Sequence, residues 1–186
     1  GDETKSIEAV DLTDTEKLRA VIHDADYVIN ATVDLNFPGM QRDGEERAKA
    51  HAINVGIPLK ARDIGFKGKF IQLSSFYIFG HNDSKVPTTT MPAPISIYGE
   101  HKLEAENVVK EMSDFMIIRL GPLFGFDASG RQKDFYRKVV QQLEAQRKGE
   151  AVTPIKADDY PTSPIVSVND ISEGAVSLLE KDFQGI

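Results

Sequence analysis

The residues with the clearest chemical potential are Tyr98 and Lys102, in the stretch Tyr98-Gly-Glu-His-Lys102. On a helix, residues four apart share one face and sit one turn apart. A lysine ammonium placed there favours the phenolate and draws the tyrosine pKa down from about 10 toward neutrality. A phenol tuned in that way can give or take a proton during carbonyl chemistry. The same pair also describes a solvated helix face with a packed ring, so the spacing gains meaning only from its surroundings. Upstream, the run Lys69-Phe-Ile-Gln-Leu-Ser74 followed by Ser75 ends an apolar segment on two hydroxyls.

Composition narrows the chemistry. The chain has 186 residues, enough for one domain with a sizeable core, and no cysteine. Disulfides, thiolate catalysis and cysteine-ligated metals are therefore excluded. The four histidines, His23, His51, His81 and His101, show no metal-ligand spacing and read as surface or packing residues. A formal net charge of -7 and a pI near 5.1 argue against nucleic acid or an anionic membrane as partner. No apolar run is long enough to span a bilayer, and no signal-peptide pattern is present. The expected location is cytoplasmic. The chain opens on Gly1-Asp-Glu-Thr without an initiator methionine, which suggests processing or truncation.

The elements that must position these groups follow from periodicity. Residues 6–12 alternate as a strand. Thr13-Asp-Thr-Glu16 fits a capping box, with Thr13 as N-cap of a helix ending near Asp24. Residues 26–32, 69–74 and 114–119 are compact apolar runs of the kind found in buried parallel strands. Residues 33–43 read as a loop around Pro38-Gly39, and 45–64 as a helix that Pro58 must kink or break. Tyr98 and Lys102 fall near the start of a helix over residues 97–112, whose face continues through Ala105, Val109 and Met112. A helix with Phe135, Val139 and Leu143 at helical spacing closes at Gly149. A short strand near 151–153, an extended segment at 165–168 and a last helix to about Lys181 follow. Alternating strands and helices with continuous apolar strands predict an α/β, Rossmann-like doubly wound parallel sheet. In such sheets ligands sit at the carboxyl ends of the strands, where Asn30, Ser74, Ser75 and Gly121 fall.

With these pieces in view, the chain resembles the extended short-chain dehydrogenase/reductases, in their epimerase and dehydratase branch. It is most similar to the dTDP-4-dehydrorhamnose reductases. The matching segments run in family order: Val10-Asp-Leu-Thr-Asp14, Val28-Ile-Asn-Ala31, Ala52-Ile-Asn-Val-Gly56, Leu73 to Gly80, Tyr98 to Lys102, Ile118 to Gly125, and Pro161-Thr-Ser-Pro164 with Val168-Asn-Asp-Ile171. The resemblance implies an NAD(P)-dependent reductase of a nucleotide-linked ketosugar. Tyr98 would be its general acid/base, and Ser75 would hydrogen-bond the substrate oxygen. Lys102 would hold the nicotinamide ribose and tune Tyr98. Asp11 and Leu12 would border the adenine, and Asn30, Ala31 and Thr32 would line the cofactor path. Gly121 and Pro122 would approach the nicotinamide. The segment 158–164 is expected on the substrate side, with Asp158 and Tyr160 as polar contacts.

Departures from the family pattern qualify this reading. The Gly-rich phosphate turn is absent, and such a turn brings amides and a helix N-terminus to the pyrophosphate. Phe76 stands where these reductases usually have Asp. The expected organisation is a partial dinucleotide-binding domain over 1–150 and the start of a substrate lobe over 151–186. The first βαβ unit and most of the C-terminal lobe would be lacking, as in a piece of a longer protein. Two other functions stay open. One is a nucleotide-sugar epimerase or dehydratase, which regenerates its cofactor within each cycle. The other is a non-catalytic, cofactor-binding regulatory subunit like the β subunit of methionine adenosyltransferase. The choice between NAD and NADP, the sugar, and self-association as a homodimer are also open.

Overall fold

Asp14, not Thr13, caps the first helix, α1 (Thr15–Ile22), its carboxylate accepting from the N–H groups of Glu16 and Lys17 at 2.9 and 3.1 Å. A charged acceptor satisfies the orphan amides and also suits the positive helix end, so it displaces the threonine. Thr13 instead donates its N–H and hydroxyl to Asp11 Oδ1 at 2.9 and 2.6 Å. The structure, a computed structural model, describes residues 9–80, 86–87, 89–126, 135–152 and 165–186. The strand expected over 6–12 is not formed in residues 9–12, which are coil and turn, and its first residues lie outside the described ones.

The described residues divide into two compact units. The first carries a sheet of three strands in the order β1-β2-β3, with β1 (Tyr27–Asn30), β2 (Lys69–Ser75) and β3 (Phe115–Leu120). β1 runs parallel to β2, in a register that sets Tyr27 beside Lys69 and Asn30 beside Gln72. Between them lie α2 (Phe37–Arg42), α3 (Gly44–Asn54) and α4 (Gly56–Ile64). α2 occupies the stretch expected as a loop: Asn36 caps it by accepting from the Gly39 N–H at 3.1 Å, and Pro38 falls in the first turn, where its missing N–H has no helical partner to lose. The break expected at Pro58 comes one turn earlier, at Val55. A proline at 58 cannot donate to the carbonyl of Asn54, so the helix ends there and Pro58 sits in the first turn of α4. Gly65 closes α4 with φ 79°.

A 3-10 turn (Phe76–Phe79) follows β2, and α5 (Ile97–Val109) is capped by Ser96 Oγ, which accepts from the Gly99 N–H at 3.1 Å. The main core joins Leu18 and Ile22 of α1, Ile57 and Ala61 of α4, Val109 of α5, Phe70 of β2 and Ile117 of β3. Val28 of β1 packs on this cluster, whereas Tyr27 and Ile29, pointing the other way, are exposed. At β1 the sheet is thus covered on one face among the described residues. Beside β3 the chain returns at its last residues, Met116 bridging Gly185 in parallel.

The second unit pairs β4 (Leu123–Phe124) in parallel with β5 (Val166–Ser167), and adds α6 (Phe135–Arg147) and α7 (Val168–Glu180). Ser167 caps α7, accepting from the Asn169 N–H at 3.2 Å. Gly125 is required by close approach: a Cβ there would lie 2.2 Å from Val168 Cγ2. Of the strand expected near 151–153, Ala151 and Val152 are coil and residue 153 lies outside the described residues. No helix among the described residues is long and apolar enough to cross a membrane.

Candidate active site

β2 and α5 together place the groups singled out above. Ser75 ends β2 and caps the 3-10 turn, its Oγ accepting from the Tyr77 N–H at 3.3 Å. Tyr98 and Lys102 occupy the first turns of α5 and are both buried, at 8% and 3% exposure. The Ser75 side chain stands near enough to the Tyr98 phenol to favour its phenolate form. Lys102 Nζ donates to the Leu73 carbonyl at 3.0 Å and lies 5.7 Å from the centroid of the Tyr98 ring. Ser75, Tyr98 and Lys102 are therefore brought together at the end of β2.

Electrostatics here depart from the expectation that Lys102 draws the phenol toward neutrality. Burial pushes the Tyr98 pKa above its ordinary value; the Ser75 side chain opposes that rise and Tyr77 adds to it. Lys102 is itself lowered, from 10.5 to about 8, because its ammonium is desolvated. Desolvation outweighs the cation's attraction when both groups leave water together. At neutral pH the site therefore holds a protonated phenol beside a lysine that loses its charge readily.

Aromatic rings frame the phenol. Phe37 of α2 meets the Tyr98 ring edge-on at 5.1 Å, and Tyr77 does so at 5.7 Å. Phe37 and Tyr77 remain partly exposed, at 37% and 46%. Phe37 was hidden from sequence reasoning because its helix read as a loop. Asn54, buried at the end of α3, anchors the approach to α2, its Oδ1 accepting from the Asp34 N–H at 2.8 Å and its Nδ2 donating to the Asp34 carbonyl at 3.2 Å. Glu106 also escaped notice: it is fully buried, accepts from Ser74 Oγ at 2.6 Å and pairs with Arg119 through two bonds at 2.9 and 2.7 Å. The signal available was the four-residue spacing of 98, 102 and 106, which continues the face of the Tyr-Lys pair.

The residues assigned to the cofactor path lie as follows. Asn30 is buried; its Nδ2 donates to Gln72 Oε1 at 2.8 Å, while its Oδ1 accepts from the Thr32 N–H and hydroxyl at 3.2 and 2.6 Å. This closes an Asx turn that carries Ala31 and Thr32 off the strand end. Asp11 is exposed, and the hydrogen bonds from Thr13 hold its carboxyl below the ordinary range. Leu12 packs at the edge of the main core. Gly121 and Pro122 belong to the second unit, where the Pro122 carbonyl accepts from the Val166 N–H at 3.0 Å. Asp158 and Tyr160, with the rest of 158–164, lie outside the described residues.

His101 is buried on α5, meets His51 edge-on at 5.1 Å, and its Nδ1 finds no hydrogen-bond partner among the described residues. Burial, helped by His51, lowers its pKa. No cluster able to hold a metal ion occurs among the described residues.

Lys102 offers the test of whether the chain suits a nicotinamide cofactor. An ammonium has three donors, and one is used on Leu73. A buried ammonium with donors to place and, among the described residues, no carboxylate partner suits the vicinal hydroxyls of a ribose.

Comparison with known proteins adds to this geometry. The family model described as RmlD substrate binding domain matches residues 3–185. A probable low-salt glycan biosynthesis reductase of Haloferax volcanii is 34% identical over 122 residues, covering 62% of this chain and 40% of that protein. A hypothetical dTDP-4-dehydrorhamnose reductase from Sulfolobus tokodaii superposes with a TM-score of 0.75 at 24% identity, covering 99% of this chain and 64% of that one. A dTDP-4-dehydrorhamnose reductase from Bacillus anthracis, solved in complex with NADP, gives 0.71 at 22% identity, covering 95% of this chain and 60% of that one. A UDP-glucuronic acid 4-epimerase from Bacillus cereus, in complex with UDP-glucuronic acid and NAD, gives 0.71 at 21%, with coverage of 92% and 54%. The chain thus spans less than two thirds of the length of each of these proteins. The shared fold is α/β with a parallel sheet.

Proposed function

We propose that this chain, which belongs to the RmlD substrate binding domain family, carries the catalytic groups of a nicotinamide-dependent reductase of a nucleotide-linked ketosugar. The observation that carries the reading is the joining of Ser75, Tyr98 and Lys102 at the end of β2. A reduced nicotinamide, when bound, supplies the hydride. Tyr98 donates the proton as the carbonyl oxygen becomes an alkoxide. Ser75 hydrogen-bonds the same oxygen and orients it. Lys102 holds the ribose hydroxyls and keeps a positive charge near the developing negative one.

The raised Tyr98 pKa supports the reducing direction, since ketone reduction calls for a phenol that still carries its proton. The Haloferax volcanii relative, a probable low-salt glycan biosynthesis reductase, agrees with that direction. Asn30, Ala31 and Thr32 at the end of β1, with Asp11 and Leu12, are the residues proposed along the cofactor, and Gly121 and Pro122 those proposed beside its nicotinamide. NADP and NAD both remain candidates.

The test uses the full-length protein with NADPH or NADH and a dTDP-linked 4-ketosugar. Oxidation of the cofactor in proportion to ketosugar consumed supports the reductase. Isomerisation of a nucleotide sugar without net oxidation assigns the epimerase chemistry instead. Cofactor binding with neither reaction assigns a regulatory subunit.

A further inference from the structure

We propose that Glu106 is a positioning residue: through Ser74 it holds the end of β2 in register with α5, and so sets the approach of the Ser75 hydroxyl to the Tyr98 phenol. The inference rests on the reductase reading of that site. Consecutive residues at the end of β2 are each tied to α5. The Leu73 carbonyl accepts from Lys102 Nζ at 3.0 Å, Ser74 Oγ donates to Glu106 Oε1 at 2.6 Å, and the Ser75 side chain stands near enough to the Tyr98 phenol to favour its phenolate. The α5 partners are 98, 102 and 106, successive turns of one helix face.

Glu106 is the fixed point of this ladder. Arg119 of β3 grips both of its oxygens at 2.9 and 2.7 Å, and Lys110 Nζ stands 3.7 Å away. The Arg119 guanidinium lies over the Phe79 ring at 5.2 Å, which ties the 3-10 turn to the same group. Strand end, turn, helix and neighbouring strand thus meet at one carboxylate.

A buried ion pair is seldom the most stable filling for such a space, since well-packed apolar residues of similar volume often do as well or better. What the pair supplies is directional constraint. Apolar packing between β2 and α5 tolerates sliding, whereas a short charge-assisted bond to Ser74 does not. Ser75 is the next residue along, so slack at Ser74 reaches the catalytic hydroxyl directly.

The test uses the full-length protein carrying Ser74→Ala, Ser74→Thr or Glu106→Gln. The first readout is the titration of Tyr98 followed by NMR of ring-labelled tyrosine, assigned with Tyr98→Phe, in protein without cofactor. The titratable groups facing the phenol are Lys102 of the same helix and Tyr77 of the 3-10 turn. The second readout is kcat and cofactor KM with a dTDP-linked 4-ketosugar. In Ser74→Ala the phenol titrates at higher pH than in the parent, because the Ser75 contact that favours phenolate is weakened. Its kcat falls between about tenfold and a hundredfold with the cofactor KM unchanged, as expected for a displaced reacting group. Ser74→Thr, which keeps the hydroxyl, restores both values. If Glu106→Gln does not fold, Ser74→Ala alone decides. Parental titration and kcat in Ser74→Ala, with only thermal stability lowered, overturn the proposal and leave Glu106 a packing ion pair. A shifted titration in a protein that turns over no ketosugar upholds the register and refutes the reductase reading instead.

Discussion

Replacing Lys102 by methionine should stabilise the protein at neutral pH while removing its function. Lys102 is 3% exposed and, among the described residues, has no carboxylate partner, only the Leu73 carbonyl at 3.0 Å. Its pKa falls from 10.5 to about 8, and at about 1.4 kcal/mol per pH unit this corresponds to roughly 3.5 kcal/mol of unfavourable burial. Methionine keeps the length of the stem and removes the charge, at the loss of one hydrogen bond worth about 1 kcal/mol, so a net gain of about 2–3 kcal/mol is expected at pH 7. The cost carries a pH signature. Below about 8 both folded and unfolded chains hold the proton, and the full cost is present. Between about 8 and 10.5 the unfolded chain binds more protons than the folded one, so the parent gains stability as pH rises and the variant does not. Urea unfolding at pH 7 and at pH 10, comparing midpoints and slopes, reads both effects. A variant less stable than the parent at pH 7, with a gap that does not change with pH, would refute the claim that Lys102 is an uncompensated buried ammonium. A residue that costs stability where it stands is the signature of a functional position.

Other perturbations have defined outcomes. Cofactor affinity should weaken as pH rises through about 8, where Lys102 loses its charge, and fluorescence titration across that range checks it; constant affinity would speak against Lys102 as a ribose ligand. Gly99→Ala would set a Cβ 2.6 Å from the Tyr77 carbonyl oxygen and should push α5 off the 3-10 turn, lowering turnover while circular dichroism keeps its helical signal. Asn54→Ala strips the Asp34 backbone of two hydrogen bonds and should cost about 2 kcal/mol in thermal or urea unfolding. Phe70→Ala opens a cavity at a side chain 1% exposed and should cost about 3–5 kcal/mol by the same measurement.

The parts of the site that sequence made legible are those written in local periodicity. Residues 97–109 show their helix through spacing and the Ser96 cap, and residues 69–75 show their strand through an unbroken apolar run. The loop expected over 33–43 hid α2 because Pro38 and Gly39 look like turn residues. The same proline after Asn36 is also a helix-start signal, and which reading prevails depends on Met40 reaching Ala50 and Tyr98 in a core that no local pattern contains. Tyr98 illustrates a second limit. Spacing placed Lys102 one turn away, but the direction of the phenol's pKa is set by burial, which comes from α2, α3 and the 3-10 turn. Glu106 is a third case: on a helix surface an acid four residues after a lysine reads as solvated, and only the long-range approach of Arg119 and Ser74 turns it into a buried anchor.

The most direct test of the account is Tyr98→Phe in the full-length protein, with turnover of a dTDP-linked 4-ketosugar and cofactor affinity measured on the same preparation. Phenylalanine keeps the ring that packs against Phe37 and Tyr77 and removes only the hydroxyl. The account expects turnover to fall by about 10²–10⁴-fold, the usual contribution of general acid catalysis, with cofactor affinity nearly intact. Near-native turnover in Tyr98→Phe would contradict it.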